Sequence, residues 1–427
     1  MDPDPNAMNR RNFLSTVSSA ASAPLFVPSN VLGMGGKPGA NSRIQVGFIG
    51  VGGRARWLLT YFDMPEAQLV SVADCYLTRM DEAAAKHPQG GKWRKYHDYR
   101  KMFEKEKLDC VFVETPTHAR VLINIHALQA GLDVYSEKPL TLTVAEGRTL
   151  VKAVRKYNRV LQTGTQQRSM PINIHASKLV SGGAIGKIKE VIACNYEPPV
   201  AWKPQPAQPI PAGLNWDQWC NQTELRPYHN DLRTKWALYW DYDGGGQSWG
   251  VSGWGTHGLD QVQAALGADE TGPVEMWLEE KGEQARATMR YASGTLLKLW
   301  QPKINDHAQL GAIFVGEKGR IQILRGNYVA DPVELRRDAP EFTPEGKNED
   351  LAHLKNFFEC MRTRKRPNAD VEIGHRSNSV CHLANICRQL GRKLQWDPQA
   401  EKFTGDDEAN KLLSRPRRRG YELPNIA

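Results

Sequence analysis

An α/β fold built on a doubly wound parallel sheet is the fold class that the sequence predicts for residues 43–163. Three observations predict it. Short apolar runs recur along this stretch, helix-like segments separate them, and a glycine-rich turn follows the first run. Strands that alternate with helices form parallel sheets, and ligands bind at the carboxyl ends of such strands. We therefore expect a ligand site at that edge of the sheet.

The predicted elements follow from the spacing of apolar residues. Short apolar runs bounded by turn residues predict buried strands, and longer segments with apolar residues at helical spacing predict helices. A glycine at position 391 ends the last of these helices. The expected strands are residues 44–49, 68–73, 109–113, 132–136 and 160–163, and the expected helices are residues 57–62, 120–130, 144–157, 349–362 and 371–390.

The turn after the first strand has the spacing of a dinucleotide-binding turn, Gly50-x-Gly52-x-x-Ala55. Gly50 permits the tight turn, Gly52 lets backbone amides approach a pyrophosphate, and the small Ala55 lets the next helix lie close to the strand. The start of that helix offers N–H groups and a partial positive charge to the phosphates. Gly53 and Arg54 belong to the same turn and are further candidate cofactor residues.

Asp74 supports this interpretation of the turn. It ends the second apolar run, 22 residues after Gly52, where an acidic side chain holds the ribose hydroxyls of a dinucleotide. A carboxylate at this position repels a 2′-phosphate, so NAD is favoured over NADP. Because Arg54 and Arg79 are also present, the preference for NAD stays open and NADP is an alternative. The alternative for Asp74 is a solvated carboxylate at a strand end.

Length and composition exclude several classes of protein. A chain of 427 residues favours two domains with sizeable cores, and its net charge of +9 is spread along it. The densest basic cluster, residues 415–419, lacks interleaved aromatic residues, so we expect a solvated tail or a subunit contact and no nucleic-acid binding. The seven cysteines form no CxxC pair, and no close cluster of histidines and cysteines predicts a metal site.

The first 42 residues stand apart from the predicted domains. Arg10 and Arg11 precede a mildly apolar run, residues 13–27, that is too short and too polar to span a bilayer. This pattern resembles a twin-arginine export signal, and a disordered tail is the alternative. We expect residues 1–42 to be a signal peptide and linker, and the mature protein to act in the periplasm or elsewhere outside the cytoplasm without membrane insertion.

Six short motifs in combination resemble the Gfo/Idh/MocA family of oxidoreductases. The resemblance extends over essentially the whole chain after residue 42. It implies an NAD(P)-binding Rossmann domain over residues 43–163 and a C-terminal α+β domain over residues 164–427 with a large, mostly antiparallel open sheet, through which homodimers or homotetramers form. The motifs are the glycine turn, Thr115-Pro116-x-His118, Glu137-Lys138-Pro139, Gly164-Thr165-Gln166-Gln167-Arg168, residues 240–246 and residues 255–260.

The resemblance also implies roles for single residues. Lys138 lies near the nicotinamide and the reacting hydroxyl, and His257 is the second catalytic position, suited by its pKa to act as a general base. Helix capping is the alternative for His257. Asp260, three residues later, shares a helical face with it. This chain departs from the family pattern at Gly253, where dehydrogenases often carry an aspartate, and at Arg120, where many secreted relatives have a histidine.

Further candidates surround this pair. Tryptophans are dense between positions 202 and 254, and flat aromatic rings stack on sugar faces, although most such rings serve core or interface packing. Trp240 is the first choice for a saccharide contact. The candidate cofactor-binding residues are Gly50, Gly52, Gly53, Arg54, Asp74, Thr115, Pro116, His118, Glu137 and Lys138, and the candidate substrate-binding residues are Asp260, Gln166, Arg168, Trp240 and Tyr239.

These observations predict an exported carbohydrate or cyclitol oxidoreductase that keeps NAD, or NADP, tightly bound. Lys138 and His257 would handle the proton while a hydride passes between a sugar carbon and the nicotinamide. One alternative is a redox-neutral NAD-dependent glycoside hydrolase of the same superfamily, because the run Thr256-His257-Gly258-Leu259 resembles that branch. An alternative of another class is a non-catalytic sugar-binding protein.

Overall fold

The computed structural model describes residues 43–62, 64–246, 250–301, 310–342 and 348–426, without the side chains of residues 348 and 349. The predicted export signal, residues 1–42, lies outside the described residues.

By its contacts the chain divides into two compact units. The described part of the smaller comprises residues 43–44 and 64–68, in which the Ile44 amide donates to the Glu66 carbonyl at 2.9 Å. The larger contains the other described residues and with them every site residue discussed below.

A six-stranded parallel sheet forms the N-terminal part, as the sequence predicts. Its strands are β1 (Ile44–Ile49), β2 (Ala67–Ala73), β3 (Arg94–Tyr96), β4 (Cys110–Val113), β5 (Asp133–Ser136) and β6 (Leu161–Thr163). Their order is β3-β2-β1-β4-β5-β6, so the carboxyl ends of β1 and β4 are neighbours at the topological switch point, where open sheets bind ligands. Phe48 of β1 stacks on Phe112 of β4 with ring centroids 4.7 Å apart, both fully buried.

Helices connect these strands, with bounds that differ in part from those expected. The first helix begins at Gly53, directly after the glycine turn, and the fourth begins at Thr117, directly after Pro116, whose φ of −49° leads into the helix. Strand β3 was not expected, because it has three polar residues and no apolar run. The helices are α1 (Gly53–Leu59), α2 (Leu77–Lys86), α3 (Tyr99–Lys105), α4 (Thr117–Gln129) and α5 (Val144–Tyr157).

The C-terminal part is built on a nine-stranded, mostly antiparallel sheet, as the family resemblance implies. Its strands are β7 (Ile188–Cys194), β8 (Pro273–Leu278), β9 (Ala287–Tyr291), β10 (Leu296–Gln301), β11 (Ala312–Gly316), β12 (Arg320–Leu324), β13 (Asn327–Asp331), β14 (Leu394–Asp397) and β15 (Lys402–Phe403). Their order is β13-β12-β11-β7-β10-β9-β8-β14-β15, and β7 pairs with β10 in parallel. The other pairs are antiparallel.

Three helices bury one face of this sheet: α6 (Pro171–Ser181), α9 (Trp254–Ala265) and α11 (Val371–Leu390). The bounds of α11 are those expected, because the Asp370 side chain accepts from the Glu372 amide at its start and Gly391 ends it with a φ of 64°. The remaining helices are α7 (Trp216–Cys220), α8 (Asn230–Thr234), α10 (Asn348–Thr363) and α12 (Asp407–Lys411), with 3₁₀ turns at Gly90–Lys92, Gln166–Ser169, Trp236–Leu238 and Val333–Arg336.

The basic cluster near position 417 is not a solvated tail. Arg417 pairs with Glu146 at 2.7 Å, Arg418 with Asp217, and Arg415 donates to the Trp240 carbonyl. Three of the four guanidinium groups of this cluster therefore have an acceptor within this chain, and Arg419 is exposed. Among the described residues, the structure contains no helix that combines the length and the hydropathy of a membrane span.

Candidate active site

The glycine turn has the conformation that its sequence predicts. Gly50 adopts a φ of +82°, and a Cβ there would lie 3.0 Å from the backbone of Glu114 and Thr115, so a side chain is excluded. The space above Gly52 is open, since the nearest atom to a Cβ would be the Arg79 Nη1 at 4.0 Å. A side chain is thus excluded on the side of the turn that packs against the end of β4, whereas the space above Gly52 is free for a ligand.

Asp74 is tied to this turn by backbone amides. Its Oδ2 accepts from the Val51 amide and its Oδ1 accepts from the Tyr76 amide, both at 2.8 Å. Burial raises the pKa of the Asp74 carboxyl, while Arg79 and the two amides lower it. Each carboxylate oxygen can accept a second hydrogen bond, so Asp74 can hold the turn and still bind hydroxyl groups.

A cavity at the carboxyl ends of β1, β2 and β4 brings together part of the predicted cofactor set. Gly50, Gly52, Asp74, Thr115 and Pro116 line it. Its lining also includes residues that sequence reasoning missed, namely Glu114 at the end of β4 and Gln218, Trp219 and Asn221. No local signal connects residues 218–221 to a site that begins at residue 50, so the sequence offered no means of finding them.

Several polar atoms in this cavity lack a partner. Both carboxyl oxygens of Glu114, the Thr115 Oγ1 and the Trp219 Nε1 are buried and make no hydrogen bond within the described part of the chain. Burial and the negative charge of Glu137 raise the pKa of Glu114 well above its usual value. Buried polar groups in folded proteins have partners, so these atoms and the open glycine turn fit a polar ligand such as a dinucleotide.

Arg54 and Glu137 bind each other instead of facing this cavity. The Arg54 Nε donates to Glu137 Oε1 at 2.7 Å, and its Nη2 donates to Asp350 Oδ1 at 2.7 Å. Trp57 adds a hydrogen bond to Asp350 Oδ2 at 2.8 Å. The second oxygen of Glu137 accepts from the Lys138 amide at 2.8 Å, so this network fixes the backbone that carries Lys138. Gly53 likewise does not line the cavity.

Lys138 and His257 are placed close enough to influence each other electrostatically. The Lys138 Nζ donates to the Gly253 carbonyl at 3.0 Å, just before α9, and His257 lies in the first half of that helix. Burial lowers the pKa of Lys138, while Glu137 and Asp243 raise it. Burial lowers the pKa of His257 well below its usual value, and the charge of Lys138 lowers it further. His257 is therefore neutral at neutral pH, with its buried Nδ1 unpaired among the described residues.

Two residues that were not predicted to act at the site hold its backbone. The buried Arg120 guanidinium donates to the carbonyls of Thr115 and Pro139 and so joins the segments after β4 and β5. Asp243 accepts from the Thr117 hydroxyl at 2.5 Å and from the Gly244 amide at 2.6 Å. Arg120 thus has a structural role in this chain.

His118 does not line the cavity. Its ring is buried, its Nε2 lies 2.8 Å from the Trp219 carbonyl, and it packs edge-on against Tyr242. Burial lowers the pKa of His118 to about 4, so the ring is neutral. Its contacts connect the start of α4 with the segment that carries Trp219.

Among the candidate substrate residues, Arg168 and Asp260 bind each other. The Arg168 Nε and Nη2 donate to the two Asp260 oxygens at 2.9 Å, and the Ser377 hydroxyl adds a bond of 2.7 Å. Arg168 also pairs with Asp269 at 2.8 Å. Gln166 is buried, and its Oε1 has no partner in the described part of the chain.

Tyr239 and Trp240 belong to a different cavity. They line one of about 810 Å³ together with Trp202 and the segment 198–203. Neither Lys138 nor His257 lines that cavity. A search of the described residues for clusters of histidine, cysteine and acidic side chains finds no group that could hold a metal ion.

Comparison with known proteins identifies both parts of the chain. Residues 44–165 match the family model described as the Gfo/Idh/MocA oxidoreductase family, NAD-binding Rossmann fold, and residues 176–423 match the model for the C-terminal alpha/beta domain of that family. The solved structures that resemble the chain include an oxidoreductase from Agrobacterium radiobacter in complex with NAD+, L-tartaric acid and magnesium. The TM-score is 0.59 and the sequence identity is 12%, and the match covers 83% of this chain and 98% of that one. Another is aldose-aldose oxidoreductase from Caulobacter crescentus in complex with glycerol, with a TM-score of 0.56, 18% identity and coverage of 83% and 99%. At these identities the likeness concerns the fold alone.

Curated relatives match over shorter stretches. Trans-1,2-dihydrobenzene-1,2-diol dehydrogenase of Danio rerio is 32% identical over 128 residues, which are 30% of this chain and 37% of that protein. The scyllo-inositol 2-dehydrogenase (NAD(+)) of Bacillus subtilis (strain 168) is 30% identical over 124 residues, 29% of this chain and 35% of that protein. The chain thus spans about a third of the length of these relatives. With both domains matched by its models, the chain belongs to the Gfo/Idh/MocA oxidoreductase family and carries that family's NAD-binding Rossmann domain.

Proposed function

We propose that this protein is an NAD(P)-dependent oxidoreductase that moves a hydride between a hydroxyl-bearing carbon of a sugar or cyclitol and a bound nicotinamide. The observation that carries the proposal is the pair Lys138 and His257: the Lys138 Nζ donates to the Gly253 carbonyl just before the helix that carries His257, and the charge of Lys138 acts on that imidazole. The glycine turn and Asp74 line a cavity that fits a dinucleotide. The names of the relatives, which are dehydrogenases of diols and inositols, support this class of substrate.

The two side chains divide the proton chemistry between them. Neutral His257 accepts the hydroxyl proton, because burial keeps its imidazole unprotonated at neutral pH. The Lys138 ammonium donates a hydrogen bond to the same oxygen and stabilises its developing negative charge. The nicotinamide, when bound, supplies the hydride acceptor. The Gly253 carbonyl holds Lys138 where relatives often carry an aspartate, so a backbone atom orients the lysine here.

We further propose that the protein is exported by the twin-arginine route, retains its cofactor tightly and forms a homodimer or homotetramer. The paired Arg10 and Arg11 support export, since this route carries folded proteins with cofactors already inserted. Free nicotinamide cofactor is scarce outside the cytoplasm, so an exported enzyme of this class has to retain and regenerate it.

A second candidate function is redox-neutral, NAD-dependent glycoside hydrolysis. In that reaction a ring hydroxyl is oxidised to a ketone, the neighbouring C–H loses a proton and the aglycone leaves as its alcohol. Water then adds to the unsaturated ketone, and the hydride returns to the carbonyl carbon. The run Thr256-His257-Gly258-Leu259, which resembles that branch of the superfamily, supports this candidate, and the His257 Nδ1, unpaired in the described part of the chain, can accept the proton.

The two functions differ in what happens to the reduced cofactor. Absorbance in the reduced-nicotinamide band is followed on the purified full-length protein, without dialysis, while sugars, cyclitols and aryl glycosides are added. A stoichiometric rise that persists with a free sugar or cyclitol supports the oxidoreductase. Release of aglycone without a lasting rise supports the hydrolase. A protein that binds no NAD or NADP and responds to no compound contradicts both and leaves a sugar-binding protein.

A further inference from the structure

A short segment from the C-terminal half of the chain lies over the cavity at the glycine turn. We call residues 213–223 the cover segment; it contains α7, which carries Trp219. Gln218, Trp219 and Asn221 of this segment line the same cavity as Gly50 and Gly52, although about 170 residues separate them in the chain. The Rossmann domain therefore does not form the whole lining of its own ligand site.

The cover segment is attached on both sides of the cavity. On the β2 side, the Asn215 amide donates to the Cys75 carbonyl at 2.8 Å and the Leu77 amide donates to the Gly213 carbonyl at 3.0 Å, next to Asp74. On the β4 side, the Gln222 Nε2 donates to the His118 carbonyl at 2.7 Å. These bonds span the switch point of the sheet, so a molecule bound at the glycine turn lies beneath the cover segment.

Trp216 and Trp219 stack on each other, and of their two indole N–H groups only that of Trp219 has no acceptor among the described residues. Its ring lies on that of Trp216 with centroids 4.5 Å apart and planes inclined by 12°, and both residues are at least nine-tenths buried. The Trp216 Nε1 donates to the Arg226 carbonyl at 2.7 Å, whereas the Trp219 Nε1 is buried without an acceptor among the described residues. An indole N–H can only donate, so the Trp219 donor is available to an acceptor on a ligand bound in this cavity.

We propose that the cover segment is part of the cofactor site and that the Trp219 Nε1–H donates a hydrogen bond to an oxygen of the bound dinucleotide. A dinucleotide is rich in such acceptors, with two phosphates and four ribose hydroxyls. The cofactor then leaves only when the cover segment detaches from Cys75 or His118. This inference rests on the proposed function, because it takes the cavity to hold NAD(P), and it gives the tight retention proposed above a physical basis.

The test compares Trp219→Phe with Trp216→Phe in the full-length protein. Bound reduced cofactor is displaced by excess oxidised cofactor, and its release rate and equilibrium dissociation constant are measured by fluorescence. Trp219→Phe keeps the aromatic stack and removes the N–H donor. We therefore expect the release rate and the dissociation constant of the cofactor each to rise about tenfold, which is the effect of losing one hydrogen bond to a charged or polar ligand. Trp216→Phe loses the bond to the Arg226 carbonyl, but Trp216 does not line the cavity, so we expect little change.

Equal release rates in the two variants would overturn the inference. A wild-type protein that binds neither NAD nor NADP would instead overturn the proposed function. Thermal unfolding establishes whether each variant folds. Gln222→Ala provides a second test that leaves both rings intact, because it removes the anchor to the His118 carbonyl; we expect faster release, and an unchanged rate in this variant would also contradict the inference.

Discussion

Two groups of buried polar side chains in this molecule differ in whether they have partners. Around the dinucleotide cavity, Glu114, Thr115 and Trp219 present polar atoms without a hydrogen bond among the described residues. Around α9, Arg168 and Asp260 are bonded to each other and to neighbours on other elements. The sequence predicts ligand contact for Thr115, Arg168 and Asp260, but not for Glu114 or Trp219. The structure separates buried groups without a partner in the described part of the chain from groups whose bonding capacity is already used to hold helices together.

The largest effect is expected at the neutral imidazole of His257 in α9. His257→Asn removes the proposed base, so we expect kcat to fall by about 10²- to 10⁴-fold with any compound that reduces the cofactor. Cofactor affinity should be retained, because His257 does not line the dinucleotide cavity. In the wild type, the acid limb of the pH–rate profile should lie below about 6.5, the usual histidine pKa, since burial lowers the pKa of His257. A variant with near-normal kcat would exclude His257 as the base.

The next largest effect tests whether the paired region is structural. Asp260→Ala leaves the buried Arg168 without its main partner, so we expect a loss of about 3–5 kcal/mol in the free energy of unfolding, measured with urea. Asp269→Ala is the matched control, since Asp269 pairs with the same arginine but its side chain is 37% exposed, and its loss should be about 1 kcal/mol or less. If the Asp260→Ala variant kept the free energy of unfolding of the wild type and lost only the reduction of the cofactor by sugars, Asp260 would be a ligand contact and not a structural residue.

An effect on stability that changes with pH is expected at Glu114. The pKa of Glu114 in the folded apoprotein is raised above its value in the unfolded chain, which is about 4.3. As the pH rises above about 4.3, the carboxyl ionises in the unfolded chain before it ionises in the folded protein. The free energy of unfolding therefore falls until the pH passes the folded-state pKa. Glu114→Gln removes that ionisation. The variant should therefore unfold at a higher temperature than the wild type at neutral pH, and this advantage should disappear in acid. A constant difference at all pH values would mean that Glu114 does not change its charge in this range.

The smallest effect concerns the choice between NAD and NADP. Arg79 lines the cavity beside Asp74 and is partly exposed. Arg79→Ala should weaken NADP binding more than NAD binding, by about fivefold or less, because exposed ion pairs contribute about 1 kcal/mol at most. Arg56→Ala is the control, since that arginine pairs with Glu82 on the surface and does not line the cavity. Equal changes for both cofactors would show that Arg79 has no part in the selection.

The sequence predicts those features that local pattern determines. The parallel sheet follows from apolar runs and turns, and the glycine turn with Asp74 follows from spacing within one βαβ unit. The cover segment could not be predicted, because it reaches the cavity through contacts between residues more than 100 positions apart, such as Gln222 with His118. The pairing of Arg168 with Asp260 was missed because these residues lie 92 positions apart in the chain. Glu114 was missed because an acid that follows a strand is usually solvated.

Some of the bonds that hold the cover segment, those made by Asp217, can form only after the C-terminal residues of the chain have been synthesised. Arg418 pairs with Asp217 across 201 residues of sequence, and the Tyr421 hydroxyl donates to the same carboxylate at 2.7 Å. Because a chain is made from its N-terminus, the glycine turn emerges from the ribosome long before the residues that secure the segment above it. The bonds that Arg418 and Tyr421 make to Asp217 are therefore the last of the described attachments of the cover segment to become possible during synthesis.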